Sequence, residues 1–428
     1  MIEDIYQKFV ECGQRISTDT RRIENGSLFF ALKGANFNGN TFALDALNLG
    51  ASYAIVDEPV GKEDRIFLVD DVLKTLQNLA THHRKKFDFP FIAITGSNGK
   101  TTTKELTSRV LSAKYKTHYT TGNLNNHIGV PLTLLSIKAG TEIAVIEMGA
   151  NHQGEIENLC NIALPTHGLI TNVGKAHLEG FGGFEGVIKG KTELYKFLEK
   201  ENGTIFCNSD NKWLAPICKH IKDVVYYGID SGTVTGKLLN ESPFVEMEWK
   251  TEKGKVIQHT NLSGNYNFEN ILAAIAIGNY FNVETDAISI AVESYIPSNQ
   301  RSQLIKTKNN LVVADYYNAN PTSMEKALLN FEKNFKGDKV VMLGDMFELG
   351  ETEDQEHQQI VELVKKLDFS KAIFVGSRFS KLLSENGFLF FENSTQAASY
   401  LKTHPLINAT VLIKGSRSSR MELIIESL

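Results

Sequence analysis

Apolar residues along this chain fall into short runs separated by glycine-rich or polar turns and by longer amphipathic stretches. Near the N-terminus, Ser27-Leu-Phe-Phe-Ala-Leu-Lys33 predicts a strand. A Gly/Asn-rich loop follows over Gly34 to Gly39, then a helix over Thr41 to Leu49 that stops at Gly50. Tyr53 to Val56 and Ile66 to Val69 predict further short strands, and Val72 to Phe87 a helix. Its closing residues His82, His83, Arg84, Lys85 and Lys86 suit a solvated helix C-terminus, where cations meet the negative end of the dipole. From Phe89 the pattern changes to buried runs: Phe91 to Ile94, Ile143 to Ile146 ending in Glu147, and Gly168 to Thr171. Strands alternating with helices predict a mostly parallel sheet covered on both faces. The alternation repeats from about Ser298, with strands expected at Leu311 to Ala314, Val340 to Leu343, Ala372 to Val375 and Val411 to Ile413. That last block has the look of a small dinucleotide-type fold without its G-x-G-x-x-G fingerprint. The expected class is α/β in three domains, 1–88, 89–297 and 298–428: a small α/β unit, a central parallel-sheet unit and a Rossmann-like unit.

Length agrees with this division, because 428 residues exceed one ordinary core. The chain carries 45 Lys and Arg against 50 Asp and Glu, so it lacks the basic footprint of a nucleic-acid binder and any anion site must be local. Cys12, Cys160, Cys207 and Cys218 form no C-x-x-C pair, which points to reduced thiols and away from zinc. The opening MIEDIYQKFV has acids where a signal peptide needs bases. The longest apolar stretches, such as Ile271 to Ile277, are too short to span a bilayer, so a cytoplasmic protein without membrane insertion is expected.

The most informative segment runs from Ile94 to Glu105. A buried strand enters Gly96-Ser97-Asn98-Gly99-Lys100-Thr101-Thr102, and a helix follows. Glycines allow backbone N–H groups to turn inward around an anion, and the helix N-terminus adds partial positive charge. Lys100 offers an ammonium to outer phosphates, and the Thr101 hydroxyl can ligate Mg²⁺. Residue 94 is isoleucine where the general phosphate loop has its first glycine, so this is the shorter G-x-x-G-K-T form. A second Gly190-Lys191-Thr192 lies in helical sequence with no strand before it and is not a phosphate loop.

With that short loop, further stretches bring a family into view. Thr18-Asp-Thr-Arg21, Phe30 to Gly34, Asn123 to Asn126 with Ile128 to Leu132, Glu147 to Asn151, Ala176 to Gly182, Tyr317 to Pro321, Leu343 to Gly350 and Lys414 to Arg417 occur in one order across nearly the whole chain. Together the chain resembles the Mur ligases of peptidoglycan synthesis, and Asn-Ala-Asn-Pro and Gly-Asp-Met-Phe-Glu-Leu-Gly resemble the dipeptide-adding branch. The resemblance implies an ATP-consuming ligase. ATP activates the terminal carboxylate of a UDP-N-acetylmuramoyl-tripeptide as an acyl phosphate, which the amine of D-Ala-D-Ala attacks.

The resemblance also implies roles for residues, each of which has a plainer reading. Glu147, at a strand end, is a ligand for Mg²⁺ or a surface acid. His177 is a second metal ligand or a structural histidine. Lys191 is a carbamylated lysine bridging two Mg²⁺ ions or a surface lysine, with Lys189 as the rival register. Asn267 and Asn270 face the nucleotide or cap the helix over Asn270 to Tyr280. Arg301, Asp315 and Asn318 are the third block's contribution to ATP, with Asp315 at the ribose or merely ending a strand. Thr18, Asp19, Arg21 and Lys33 are contacts to the UDP of the substrate, and Asn125 and Asn126 to the muramyl peptide; all could be loop formers. Asp345, Glu348, Ser416 and Arg417 sit on loops of the third block without an assigned role. A monomer is expected. Two competing functions are a sister ligase, adding one amino acid to a UDP-muramyl peptide or glutamate to folate, and a phosphate-loop switch that uses ATP only to change shape.

Overall fold

The computed structural model describes residues 1–61, 63–298, 300–382 and 388–428. Three α/β sheets follow one another along the chain. The first has four parallel strands in the order Ile16–Ser17, Leu28–Phe30, Tyr53–Val56, Ile66–Leu68. Lys33 does not extend the core strand. Gly39 N donates to Leu32 O at 2.9 Å, and the intervening chain folds out as a hairpin of Lys33–Gly34 and Phe37–Asn38 where a loop was expected. The helical stretch then begins as a 3-10 turn, Gly39–Phe42, and continues as the helix Ala43–Asn48.

The helix Val72–Arg84 starts at Asp71, whose carboxylate accepts from Lys74 N at 2.7 Å. It buries Val72, Leu76, Leu79 and Ala80, the spacing of one apolar helical face. Its basic end is not solvated as expected. Lys85 and Lys86 are exposed, but His83 and Arg84 are buried. The Arg84 guanidinium donates to Ala163 O and Leu164 O, both at 2.9 Å, at the C-terminal end of the central helix Glu155–Ala163, and lies 3.6 Å from the Phe91 ring centroid. Helix-end carbonyls need donors, and a cation there also meets the negative end of the dipole. Ile5, Phe9, Leu28, Leu76 and Leu79 therefore share one continuous core with Phe91, Ala93, Val130 and Leu134 of the central domain.

The central sheet has nine strands: Gly254–His259, Glu246–Thr251, Val234–Asn240, Val224–Gly228, Thr204–Asn208, His167–Ile170, Phe91–Thr95, Ile143–Glu147 and Thr117–Tyr119. The seven from Val234–Asn240 to Thr117–Tyr119 are parallel, and the other two extend the sheet in antiparallel fashion. Phe91 and Ala93 face the core shared with the first domain; Ile92 and Ile94 face a second core built on the helices Lys100–Ser112 and Tyr266–Tyr280. Both faces are covered, which is why the strand reads as an unbroken apolar run.

The C-terminal sheet runs Gln303–Lys306, Leu311–Asp315, Ala409–Lys414, Asp338–Gly344, Lys371–Val375, Leu389–Phe391, parallel except for its first strand. Its two faces pack into separate apolar cores, the layering expected of a Rossmann-like domain. Among the described residues, no helix is long and apolar enough to cross a membrane.

Candidate active site between the central and C-terminal domains

The C-terminal end of the strand Phe91–Thr95 delivers the glycine turn. Gly96 has φ +143°, and a Cβ there would stand 2.0 Å from Thr171 Oγ1; Gly99 has φ +78°, and its Cβ would stand 2.4 Å from Asn270 Oδ1. Only glycine supplies that backbone and that clearance. The adjacent loop fixes the turn: Asn98 N donates to Asn172 Oδ1 at 3.0 Å, and Thr171 Oγ1 donates to Asn98 O at 2.6 Å. Ser97 to Thr102 then line a cavity of about 480 Å³ at the start of the helix Lys100–Ser112. Lys100 curls back over its own turn, its Nζ donating to Gly96 O at 2.6 Å and Ser97 O at 3.1 Å. Burial pushes its pKa down to about 8; Glu147 opposes that shift and Arg301 adds to it.

Glu147 ends its strand only 1% exposed, which overturns the surface-acid alternative. Its Oε1 accepts from Thr101 Oγ1 at 3.1 Å and from Asn125 Nδ2 at 2.7 Å, whereas Oε2 is buried without a partner among the described residues. An unpartnered buried carboxylate oxygen is costly, and a hard divalent cation is the species that satisfies it. The residues present thus fit Mg²⁺ at Thr101 and Glu147. The remaining expected ligands are not gathered around it: among the described residues, no three His, Cys, Asp or Glu stand close enough to hold a metal. His177 has φ +52°, lines the same cavity, and directs Nδ1 to the carboxylate of Glu348 in the C-terminal domain.

Lys191 is 1% exposed, whereas Lys189 is exposed. Its Nζ donates to Ala150 O at 3.0 Å and lies 4.9 Å from the Phe181 ring centroid. Burial, and then Lys100, push its pKa well below the ordinary lysine value. A surface lysine is therefore excluded, and of the two registers only Lys191 offers a buried, readily neutral amine.

Asn267 and Asn270 are not helix caps. The helix starts at Tyr266 with Asn265 as its cap, which places both inside it. Asn267 Nδ2 donates to Ser263 O in the preceding loop, and Asn270 Oδ1 accepts from Thr103 Oγ1, so Asn270 ties this helix to the phosphate-loop helix while both amides line the cavity. Arg301, Asp315 and Asn318 line the opposite wall. The Arg301 guanidinium stacks 3.9 Å from the Tyr317 ring centroid, and Asp315 is held by Lys414 Nζ at 2.6 Å and Ser302 N at 3.2 Å. Asn318 Oδ1 accepts from Ala319 N. Asn126 lines the cavity too, but its Oδ1 accepts from Ile128 N and Gly129 N, so it also shapes the loop.

The first-domain residues stand apart: Thr18, Asp19, Arg21 and Lys33 line neither cavity of this cleft. Arg21 forms a bidentate pair with Asp19, which draws the Asp19 carboxyl down to about 2. Lys33 bridges Asp57 at 2.9 Å and Glu58 at 2.8 Å. Both cations are thus already engaged by carboxylates of their own domain. Asp345 is buried and accepts from Arg378 N and Phe379 N, which gives it a structural place, whereas Glu348, Ser416 and Arg417 line a second cavity beside the first.

Sequence reading missed the residues that join the domains. Asn320 Nδ2 donates to Asn98 Oδ1 at 2.8 Å; Lys175 N donates to Thr322 Oγ1 at 3.1 Å and Lys175 Nζ to Glu356 Oε1 at 2.6 Å. The one available signal was Asn320-Pro321 with Ser323, which starts the helix Pro321–Asn334 through a capping box.

A short glycine turn on a parallel sheet, between an N-terminal and a C-terminal α/β unit, defines a class of ATP-consuming ligases, and this chain belongs to the Mur ligase family. Models described as Mur ligase family, catalytic domain; Mur ligase middle domain; and Mur ligase, glutamate ligase domain match residues 14–84, 94–278 and 300–417. The chain is 34% identical over 431 residues to the UDP-N-acetylmuramoyl-tripeptide--D-alanyl-D-alanine ligase of Bacillus subtilis, covering 96% of this chain and 92% of that one. Among solved structures it is similar to MurF from Acinetobacter baumannii, with TM-score 0.88 and 33% identity over 97% of this chain and 93% of that one. It is also similar to the MurF ligase of Thermotoga maritima in complex with ADP, with TM-score 0.85 and 29% identity over 97% of each chain.

Proposed function

We propose that this chain joins D-Ala-D-Ala to a UDP-N-acetylmuramoyl-tripeptide at the expense of ATP, giving the pentapeptide precursor of peptidoglycan, ADP and phosphate. The observation that carries the reading is the cavity in which the glycine turn, Lys100 and the unpartnered oxygen of Glu147 converge. Turn amides and Lys100 grip the polyphosphate, and Asn267, Asn270, Arg301, Asp315 and Asn318 hold the rest of the nucleotide. The tripeptide carboxylate takes the γ-phosphoryl group as ADP leaves. The dipeptide amine then attacks the acyl carbon, phosphate departs, and the amine proton passes to a base or to water.

Thr101 and Glu147 would hold magnesium, joined by His177 once Glu348 releases it, and by Lys191 as a carbamate formed from its neutral amine and CO₂. Bound there, Mg²⁺ supplies charge neutralisation on the transferred phosphoryl group. Asn125 orients Glu147 and, with Asn126, meets the muramyl peptide, while Thr18, Asp19, Arg21 and Lys33 receive the UDP. The enzyme acts as a cytoplasmic monomer in this reading. The test is phosphate release with and without UDP-tripeptide plus D-Ala-D-Ala. Strong dependence on both, with pentapeptide in the mass spectrum, is the expected result. Equal ATP hydrolysis in their absence would instead identify a nucleotide switch.

A further inference from the structure

Loop 345–350 follows the strand Asp338–Gly344, and its Phe347 and Glu348 line the second cavity. Its first half is pinned inside the C-terminal domain. Asp345 N donates to Val375 O at 3.0 Å, and the Asp345 carboxylate accepts from Arg378 N and Phe379 N. Its second half reaches the central domain. Glu348 adopts φ +62°, its carboxylate meets His177 Nδ1, and its carbonyl accepts from Glu179 N at 3.4 Å on the short helix Leu178–Phe181. A left-handed glutamate is costly and persists only where its surroundings hold it. One such hold comes from a residue that lines neither cavity. His357, in the helix Glu353–Lys366, is wholly buried, and its ring meets that of Phe379 edge-on, 4.7 Å between centroids. Its Nε2 accepts from Met346 N at 3.0 Å. Its Nδ1 lies 2.8 Å from Glu353 O, a carbonyl that can only accept, so Nδ1 carries the proton and Nε2 is bare. A phenyl ring would fill the same space without that acceptor. The preceding residue, Glu356, meets Lys175 of the central domain, so one turn of this helix serves both the loop and the domain junction.

Resting on the functional reading above, we propose that His357 is a positioning residue for ligation: as a neutral acceptor it anchors Met346 N, and through that bond it holds Glu348 in the conformation that spans to His177. It acts through Glu348 and touches neither substrate nor nucleotide. Without the acceptor, the buried amide of Met346 is stranded, the loop moves to relieve it, and Glu348 leaves the central domain. The cleft then spends less time closed, and acyl phosphate formed in it meets water before the amine.

Variants that separate the acceptor from the ring test this. His357→Phe keeps the ring and removes the acceptor. His357→Gln loses the ring but can bring Oε1 close to the place of Nε2. His357→Phe should lower kcat/KM for pentapeptide formation roughly 10-fold, the cost of one stranded buried amide, and should release more phosphate than pentapeptide. His357→Asn, polar but too short to reach Met346, should fall with it. His357→Gln should stay nearer wild type in both readouts, even where its urea midpoint is the lowest of the three. A role confined to packing predicts the reverse order. Adding Glu348→Ala to His357→Phe should change the phosphate-to-pentapeptide ratio no further, because both act on one contact. Hydrogen exchange over residues 344–350 in the resting enzyme reads the anchor without turnover: it should quicken in His357→Phe and stay slow in His357→Gln. Activity that follows the urea midpoint rather than the acceptor, or exchange in this loop alike in wild type and His357→Phe, would overturn the assignment. If wild type makes no pentapeptide yet the exchange pattern holds, the functional reading falls and the anchoring of the loop stands.

Discussion

Lys100 illustrates how a single residue sets the chemistry of the loop. Its ammonium is held by two carbonyls of its own turn, with a pKa near 8. A bound polyphosphate must raise that value, since neighbouring negative charge favours the protonated form. The bound state therefore carries more protons, and nucleotide binding should take up a proton and weaken as pH rises through about 8. Calorimetry at pH 8.5 in buffers of different ionisation enthalpy checks this; a binding heat independent of buffer would rule it out. Lys100→Ala should lower kcat by at least about 10²-fold, the usual cost of removing one donor to a transition-state anion. A rate near wild type would show that the loop does not carry the phosphates. Lys191→Ala should be as severely impaired and partly rescued by a small added carboxylate, because a carbamate presents oxygen ligands that an amine does not. Unrescued but normal activity would remove the carbamate from the site. The loop residues were legible in sequence because strand, glycines, Lys and Thr are contiguous. The depth of Glu147 and Lys191 was not, because burial at a strand end or on one helix face depends on segments distant in the chain, here Asn125 and Ala150.

At the scale of elements, periodicity found Phe91–Thr95, Ile143–Glu147 and even the half-exposed Ile66–Leu68, but missed the buried Thr204–Asn208 and the half-buried Glu246–Thr251. Glu246–Thr251 alternates strictly, with Met247, Trp249 and Thr251 inward, and a two-residue period was there to be read. The helix Val72–Arg84 was legible, but its end was not. A basic run looks alike whether it meets water or another helix, and only the fold brings the carbonyls of Ala163 and Leu164 within reach of Arg84. Arg84→Ala should cost about 2–4 kcal/mol, since it strands buried acceptors at a domain junction, and should lower the urea midpoint. An unchanged midpoint would mean that water replaces the guanidinium. Acid should weaken the same junction. Burial holds His83 near a pKa of 4, below the unfolded value, so the unfolded chain binds the extra proton. Stability from this residue is full above about pH 6.5 and is lost as pH falls toward 4. His83→Phe, which keeps the ring, should flatten that dependence.

Across the whole molecule, the parts of the site belong to two domains. Around the phosphate loop the contacts that close them are polar and include Asn98 with Asn320, His177 with Glu348, and Lys175 with Thr322 and Glu356. These join phosphate-loop neighbours to the C-terminal domain, so nucleotide binding and closure act on the same bonds, whereas Ser242 with Asn334 and Glu241 with Lys333 join the domains away from the cleft. Lys175–Glu356 is the most asymmetric, a half-exposed ammonium against a carboxylate 5% exposed. Removing the lysine leaves a buried acid uncompensated only while the domains stay together, so the variant is driven open. Lys175→Ala should therefore have a larger radius of gyration than wild type by solution scattering, and nucleotide plus tripeptide should narrow the difference. An acyl phosphate formed in a more open cleft meets water before it meets the amine. The variant should consequently release more phosphate than it makes pentapeptide, while wild type keeps the two near equal. Identical scattering together with an unchanged phosphate-to-product ratio would show that Lys175 is incidental to closure, and that the cleft is held by Asn98–Asn320 and the packing around it.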